Sequence, residues 1–228
     1  MASDSCRTFF VTGTDTGVGK TLCSAALLHA LARRHTRVVG MKPVAAGLVE
    51  HRGERVSEDV LMLRAASTLA VPPALDNPVA LPEPLSPHLA ARHAGRVVRV
   101  AELLAPARVL QQLADALVVE GAGGWRVPLN DDETLADFAR VLAAPVVLVV
   151  GLRLGCLNHA LLTAEAIRHD GLHLAGWIAN RIDPTMAAAD ENLDHLRAKL
   201  GAPLLGVVPW ASEPDPARIM LTLPEDLR

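Results

Sequence analysis

The chain alternates short apolar runs with longer stretches in which apolar residues recur every three or four positions. Thr8–Val11, Arg37–Met41, Ala116–Val119, Val146–Val150, Leu174–Ala179 and Leu204–Val208 are continuous and β-branched, the pattern of parallel strands covered on both faces. Between them, Thr21–Arg34, Ser57–Ala65, Val100–Ala114, Leu135–Leu142, Asn158–His169 and Met186–Leu200 carry helical spacing. This alternation predicts an α/β fold of three layers, a mainly parallel sheet with helices on both faces. No linker breaks the rhythm, so residues 1–228 read as a single domain. Leu69 to Pro87 carries five prolines from Pro72 to Pro84 and a sixth at Pro87, which excludes a regular helix or central strand. It reads as a long loop on the ligand side, with a short helix starting near Pro87-His88. The tail after Trp210, rich in proline and acid, reads as a surface segment.

The first strand and first helix enclose Thr12-Gly13-Thr14-Asp15-Thr16-Gly17-Val18-Gly19-Lys20-Thr21. Strand, glycine-rich turn, Gly-Lys-Thr and helix form a phosphate-binding loop of the P-loop NTPase kind. Glycines let backbone N–H groups wrap an anion, and the helix N-terminus adds partial positive charge. Gly17, Val18, Gly19, Lys20, Thr21 and Leu22 are therefore nucleotide-binding candidates. Lys20 would reach the outer phosphates and the Thr21 hydroxyl would ligate magnesium. Five residues separate Gly13 from Gly19 where four are usual, so the loop is a variant.

Composition sharpens this reading. The chain has 19 arginines but only three lysines, Lys20, Lys42 and Lys199. A lysine kept where arginine serves as the generic cation suggests a need for a compact point charge. Lys42 ends the apolar run Val38-Val39-Gly40-Met41, and C-terminal strand ends face the ligand crevice of an open α/β sheet. Lys20 and Lys42 are thus both expected at the transferring phosphate, whereas Lys199 reads as a surface residue. A net charge of −3 gives no footprint for nucleic acid or an anionic membrane. The most apolar run, Pro145 to Leu152, is too short to span a bilayer, and Met1 to Arg7 lacks a signal-peptide core. Cys6, Cys23 and Cys156 are scattered without metal-type pairing, which fits a reduced cytoplasmic protein.

Leu117-Val118-Val119-Glu120 ends a buried strand on an acid, the place of a magnesium-holding carboxylate in phosphate-loop enzymes. Gly121, Ala122, Gly123 and Gly124 follow, so backbone can approach a ligand closely. Asp59, in Ser57-Glu58-Asp59, is a second metal candidate. An acid in the first turn behind an N-cap serine suits the helix dipole equally well, so spacing leaves Asp59 open.

In Val11 to Thr16 with Val18 to Thr21, Lys42-Pro43-Val44 with Gly47, Glu83-Pro84-Leu85-Ser86-Pro87-His88, Val119 to Trp125, Leu154-Gly155-Cys156-Leu157-Asn158-His159, Gly176-Trp177-Ile178-Ala179-Asn180 and Pro209-Trp210, the chain resembles the dethiobiotin synthetase family over nearly its full length. The extra loop residue is characteristic of that family. The resemblance implies an ATP- and magnesium-dependent ligase of biotin biosynthesis. Carbon dioxide adds to one amine of 7,8-diaminopelargonate, ATP phosphorylates the carbamate to a carbamic–phosphoric anhydride, and the second amine closes the ureido ring. It further implies that Lys42 and Lys20 are catalytic and that Thr21, Asp59 and Glu120 gather around magnesium. Asn180, with Arg181 beside it, would contact adenine, and Pro209, Trp210 and Ala211 would flank the base. Thr16 and Ala46 would lie near the diamine. The start of a helix at Gly155, Cys156, Leu157 and Asn158 would hold the substrate carboxylate in the neighbouring subunit of a homodimer. A capping turn with Asn158 as N-cap is the structural alternative there. No activating base accompanies Cys156, which reads as a packing residue, and His88 receives no proton-transfer role.

Two positions depart from the family. Ala46 stands where members often carry a small hydroxyl residue, and Gly17 where some relatives are acidic. Neither removes a charged catalytic group. A switch ATPase of the partitioning or septum-positioning type is the main alternative, but it would place a signature lysine early in the loop and carry a basic or amphipathic membrane segment. The synthetase domain of a cofactor amidotransferase would come with a glutamine-hydrolysing domain. A GTPase would carry Asn-Lys-x-Asp, where Asn180-Arg181-Ile182-Asp183 lacks the lysine.

Overall fold

The computed structural model describes residues 6–225. β1 (Arg7–Gly13) runs into the glycine loop and α1 (Lys20–Ala32). There follow β2 (Val38–Met41), β3 (Val44–Ala46), β4 (Val49–His51), β5 (Glu54–Val56), α2 (Glu58–Ala66), α3 (Pro73–Asp76), β6 (Val79–Leu81), α4 (Pro87–His93) and α5 (Val100–Leu113). β7 (Ala116–Glu120), α6 (Leu135–Leu142), β8 (Val146–Gly151), α7 (Cys156–His169), β9 (Leu174–Asn180), α8 (Ala189–Lys199) and β10 (Leu204–Val208) come next, and a short 3-10 helix at Pro216–Arg218 ends the order.

Six strands form one parallel sheet in the order β10-β9-β8-β1-β7-β2. The fold is α/β, a three-layer arrangement of the P-loop NTPase type. Successive residues of β1 explain why its apolar run is continuous. Phe9 and Val11 enter the core under α1 and α2, while Phe10 enters the core under α5, α6 and α7. Phe10 lies edge to face with Trp125 and Phe138, at centroid distances of 6.0 and 6.1 Å. Trp125 thereby anchors the glycine-rich turn after β7, and its indole donates to Asp170 at 2.7 Å.

Several expectations are corrected. The proline-rich stretch is not a featureless loop. Pro73 takes the first helical position of α3, where no N–H is needed, and Val79–Leu81 pairs in parallel with Val44–Ala46 outside the main sheet. The tail is not purely superficial: Ile219, Leu221 and Leu223 are buried against the α1 core, and Thr222 N–H donates to Leu205 carbonyl at 2.8 Å. α7 starts at Cys156, so Asn158 sits inside the first turn and is not the N-cap. Gly155 holds that position with φ 96°, which a side chain resists. α8 starts at Ala189, later than Met186. Ser57 is the N-cap of α2, but its hydroxyl makes no capping hydrogen bond.

Candidate active site

Three strand ends, β1, β2 and β7, and the start of α1 converge on one cleft of about 600 Å³. Its walls include Thr16, Gly17, Gly19, Lys20, Thr21, Lys42, Ala46, Asp59, Glu120, Ala122 and Gly123. Residues far apart in sequence meet here because Val11 is the register partner of Glu120 and Met41 that of Val119. Pro84, Leu85, Ser86, Pro87 and Val127 also line it. The Pro84–Pro87 stretch falls within the loop read as ligand-side, whereas nothing local marked Val127.

The charged centre is compact. Lys42 Nζ lies 2.5 Å from Glu120 Oε1 and 2.7 Å from Asp59 Oδ2, and donates to Gly121 carbonyl at 3.2 Å. The Thr21 hydroxyl lies 2.7 Å from Asp59 Oδ1 and 2.9 Å from Glu120 Oε1. Lys20 Nζ donates to Asp15 carbonyl at 2.9 Å, and the Asp15 carboxylate is paired with Arg153. Burial opposes the charge on Lys42, yet Glu120 and Asp59 outweigh it and raise its pKa. Lys42 is therefore an ammonium and not a base. Burial, with Lys42 nearby, lowers the pKa of Lys20 to about 8. Burial also opposes the charge on Asp59, but Lys42 and Thr21 reverse this and hold its carboxyl below the usual range.

Glu120 is fully buried, and both of its contacts fall on Oε1. Among the described residues Oε2 is buried with no partner, which is costly for a carboxylate oxygen unless a cation faces it. Two carboxylates and a hydroxyl are hard oxygen donors too few for an all-protein cage. That suits Mg²⁺, which keeps waters and phosphate oxygens in its shell.

A second, smaller cavity of about 200 Å³ gathers Leu22, Asn180, Arg181, Pro209, Trp210 and Ala211. Trp210 is half exposed and offers a flat apolar face there. Asn180 Nδ2 donates to Val18 carbonyl at 2.9 Å, so part of this amide braces the loop. Gly19 has φ 83°, and a Cβ there would meet Asn180 Nδ2 at 2.1 Å, which explains why this position takes glycine.

The third group of candidates lies elsewhere. Gly155, Cys156, Leu157 and Asn158 do not line the cleft. Cys156 is 2% exposed, in keeping with a packing role, and its N–H donates to Arg153 carbonyl at 3.0 Å, so not every amide of the turn is open to an anion. Leu154, next to the turn, is 92% exposed. Sequence reasoning missed Asp76 and Asn77, which hydrogen-bond the Lys42 backbone, and Arg64, which pairs with the Asp76 carboxylate. No local sequence signal marked them, since prolines at 72, 73, 78, 82 and 84 interrupt any periodic pattern around them.

An AAA domain family profile matches residues 7–218. The ATP-dependent dethiobiotin synthetase of Ralstonia nicotianae is 54% identical over 206 residues, spanning 90% of this chain and 90% of its own. That of Aromatoleum aromaticum is 52% identical over 219 residues, spanning 95% and 96%. Among solved structures, a ParA family ATPase from Chlorobium tepidum superposes with TM-score 0.56 at 15% identity, covering 92% of this chain and 86% of that one. The MinC:MinD cell division protein complex of Aquifex aeolicus gives TM-score 0.55 at 16% identity, covering 91% and 83%. At such identities the likeness to these structures is one of fold.

Proposed function

The chain belongs to the dethiobiotin synthetase family of ATP-dependent ligases, and from this premise we propose that it closes 7,8-diaminopelargonate and CO₂ into dethiobiotin through a carbamate and a carbamic–phosphoric anhydride. One observation carries the assignment to this site: Lys42, a cation buried at a strand end, touches both carboxylates and shares a cleft with Lys20. One amine adds to CO₂ and loses a proton, giving the carbamate. A carbamate oxygen takes the γ-phosphoryl group of ATP and ADP leaves. The second amine then attacks the carbamoyl carbon and loses a proton, and phosphate leaves with the C–O bond pair.

Each residue has a role by position. Lys20 neutralises the phosphates. Lys42 holds the carbamate and the equatorial oxygens of the transferring group, where negative charge must be met by a fixed cation. Thr21, Asp59 and Glu120 would hold Mg²⁺, which would supply positive charge to neutralise the triphosphate. The cavity of Asn180, Arg181 and Trp210 takes the adenine. Thr16 and the backbone of Ala46 face the diamine.

The carboxylate end of the substrate extends to the Gly155–Asn158 turn of a second copy in a homodimer. This rests on the turn lying outside its own chain's cleft, with Leu154 exposed beside it. Residues 1–228 act as one domain, and the unpaired cysteines favour a cytoplasmic setting. Among the described residues, no helix is long and apolar enough to cross a membrane.

Purified protein is expected to consume ATP only when diamine and bicarbonate are both present, with a cyclic urea detected by mass spectrometry. Sustained ATP turnover without the diamine would place the chain with the switch ATPases instead. ATP affinity should also depend on pH. Triphosphate binding requires the Lys20 ammonium, whose pKa in the free protein is about 8. Affinity should thus be flat below pH 8, with Kd rising up to about tenfold per pH unit above it. Calorimetry between pH 7 and 9.5 checks this, and a constant Kd would show that Lys20 does not gate binding.

A further inference from the structure

Among the described residues β2 is an outer strand of the sheet, next to β7. The free edge of such a strand presents unpaired backbone groups. Here the segment from Ser67 to Asn77 covers much of that edge. Val38 N–H donates to Thr68 Oγ1 at 2.8 Å, and Val38 carbonyl accepts from Thr68 and Leu69 N–H at 2.9 and 3.1 Å. Gly40 N–H donates to Ser67 Oγ at 2.9 Å. The cover ends just past the strand, on the residue that bears the ammonium. Lys42 N–H donates to Asp76 carbonyl at 2.7 Å, and Lys42 carbonyl accepts from Asn77 Nδ2 at 2.7 Å.

A backbone donor from the next residue is excluded there, because Pro78 has no N–H. The Asn77 side chain supplies the missing donor. Asp76 is 3% exposed, and its carboxylate is gripped by Arg64 in a two-pronged contact at 2.6 and 2.7 Å. Arg64 belongs to α2, the helix whose first turn carries Asp59. One module therefore fixes the backbone of Lys42 and the helix of its carboxylate partner relative to each other.

We infer that Asn77, backed by the Arg64–Asp76 pair, is a positioning residue for Lys42 in ring closure. The inference rests on the role proposed above for Lys42. An ammonium on a flexible stem reaches the transferring group reproducibly only if its peptide is held from both sides, and a displacement of about 1 Å at a reacting centre can cost a hundredfold in rate.

The test compares Asn77→Ala and Asn77→Asp with wild type for urea formation, KM for ATP and pH dependence. Asn77→Ala is expected to lower kcat about 10- to 100-fold with KM for ATP within about twofold. Asn77→Asp keeps the shape but as a carboxylate faces Lys42 carbonyl with an acceptor, and only its protonated form donates. Its kcat relative to wild type should recover as pH falls, a signature that simple loss of an edge cover does not produce. Unchanged kcat in both variants, or a lower melting temperature with kcat and pH profile intact, overturns the inference. Should neither variant fold, Arg64→Lys carries the test, since it keeps the charge and loses the fork. A kcat loss at constant KM supports positioning, and unchanged kcat refutes it. A wild type that forms no urea overturns the proposed function along with this inference, whereas an active wild type matched by its variants overturns the inference alone.

Discussion

Lys42→Ala is expected to reduce urea formation by about 10²- to 10³-fold, with KM for ATP little changed. Lys20 and the loop amides remain to bind the triphosphate, so the loss falls on the charge that develops during transfer. Arginine at position 42 should not rescue the reaction. Its planar fork does not fit a pocket that places one nitrogen within 2.7 Å of both Asp59 and Glu120.

The same substitution has a stability consequence. Glu120 is fully buried, and loss of its Lys42 partner leaves an uncompensated charge, a change that typically costs about 3–5 kcal/mol. The double variant Lys42→Ala, Glu120→Gln removes that charge. Its melting temperature should return toward wild type while activity stays lost. Stopped-time product assays and thermal melts on the three proteins separate the effects. Activity in Lys42→Ala within about tenfold of wild type would show that the ammonium is structural.

The parts of this site that were legible in the sequence are those written locally. The strand, glycine turn and helix around Lys20 occupy consecutive residues, and Lys42 and Glu120 each end an apolar run, so position on the strand predicts position in the crevice. Strand order was not legible, because β1 lies between β7 and β8 through pairings that join distant segments. The clamp on Lys42 was hidden for a related reason. Asp76 and Asn77 act on a backbone far from them in sequence, and the prolines around them suppress every periodic signal.

The tail shows a milder version of this. Ile219, Leu221 and Leu223 alternate with exposed Met220 and Thr222, a period of two that flanking prolines obscured. Asn158 was placed one turn too early in its role. Asparagine is a common N-cap, but Gly155 reaches the left-handed backbone that starts this helix. Fold neighbours carry less: the ParA family ATPase and the MinC:MinD complex share the fold at 15–16% identity, whereas family membership rests on the relatives at 52–54%.

Glu120→Gln should lower kcat by about a hundredfold or more, for two reasons that leave different traces. The first is the divalent ion. Among the described residues Oε2 has no partner, so a carboxamide, with a neutral oxygen or an N–H in that position, removes the anionic donor that the proposed Mg²⁺ site requires. Half-saturating magnesium should rise, with part of the rate restored at high magnesium. The second is Lys42. Burial lowers its pKa, and Glu120 and Asp59 together reverse that. With Glu120 neutral, burial gains weight, the pKa of Lys42 falls, and the ammonium is lost as pH rises. The variant should therefore recover relative to wild type on acidification, in the range where Asp59 stays ionised. Magnesium titrations at pH 7 and pH 8.5 distinguish the two contributions. A variant whose magnesium midpoint equals that of wild type, yet whose rate recovers with acid, would make Glu120 the counter-ion of Lys42 and remove it from the metal site.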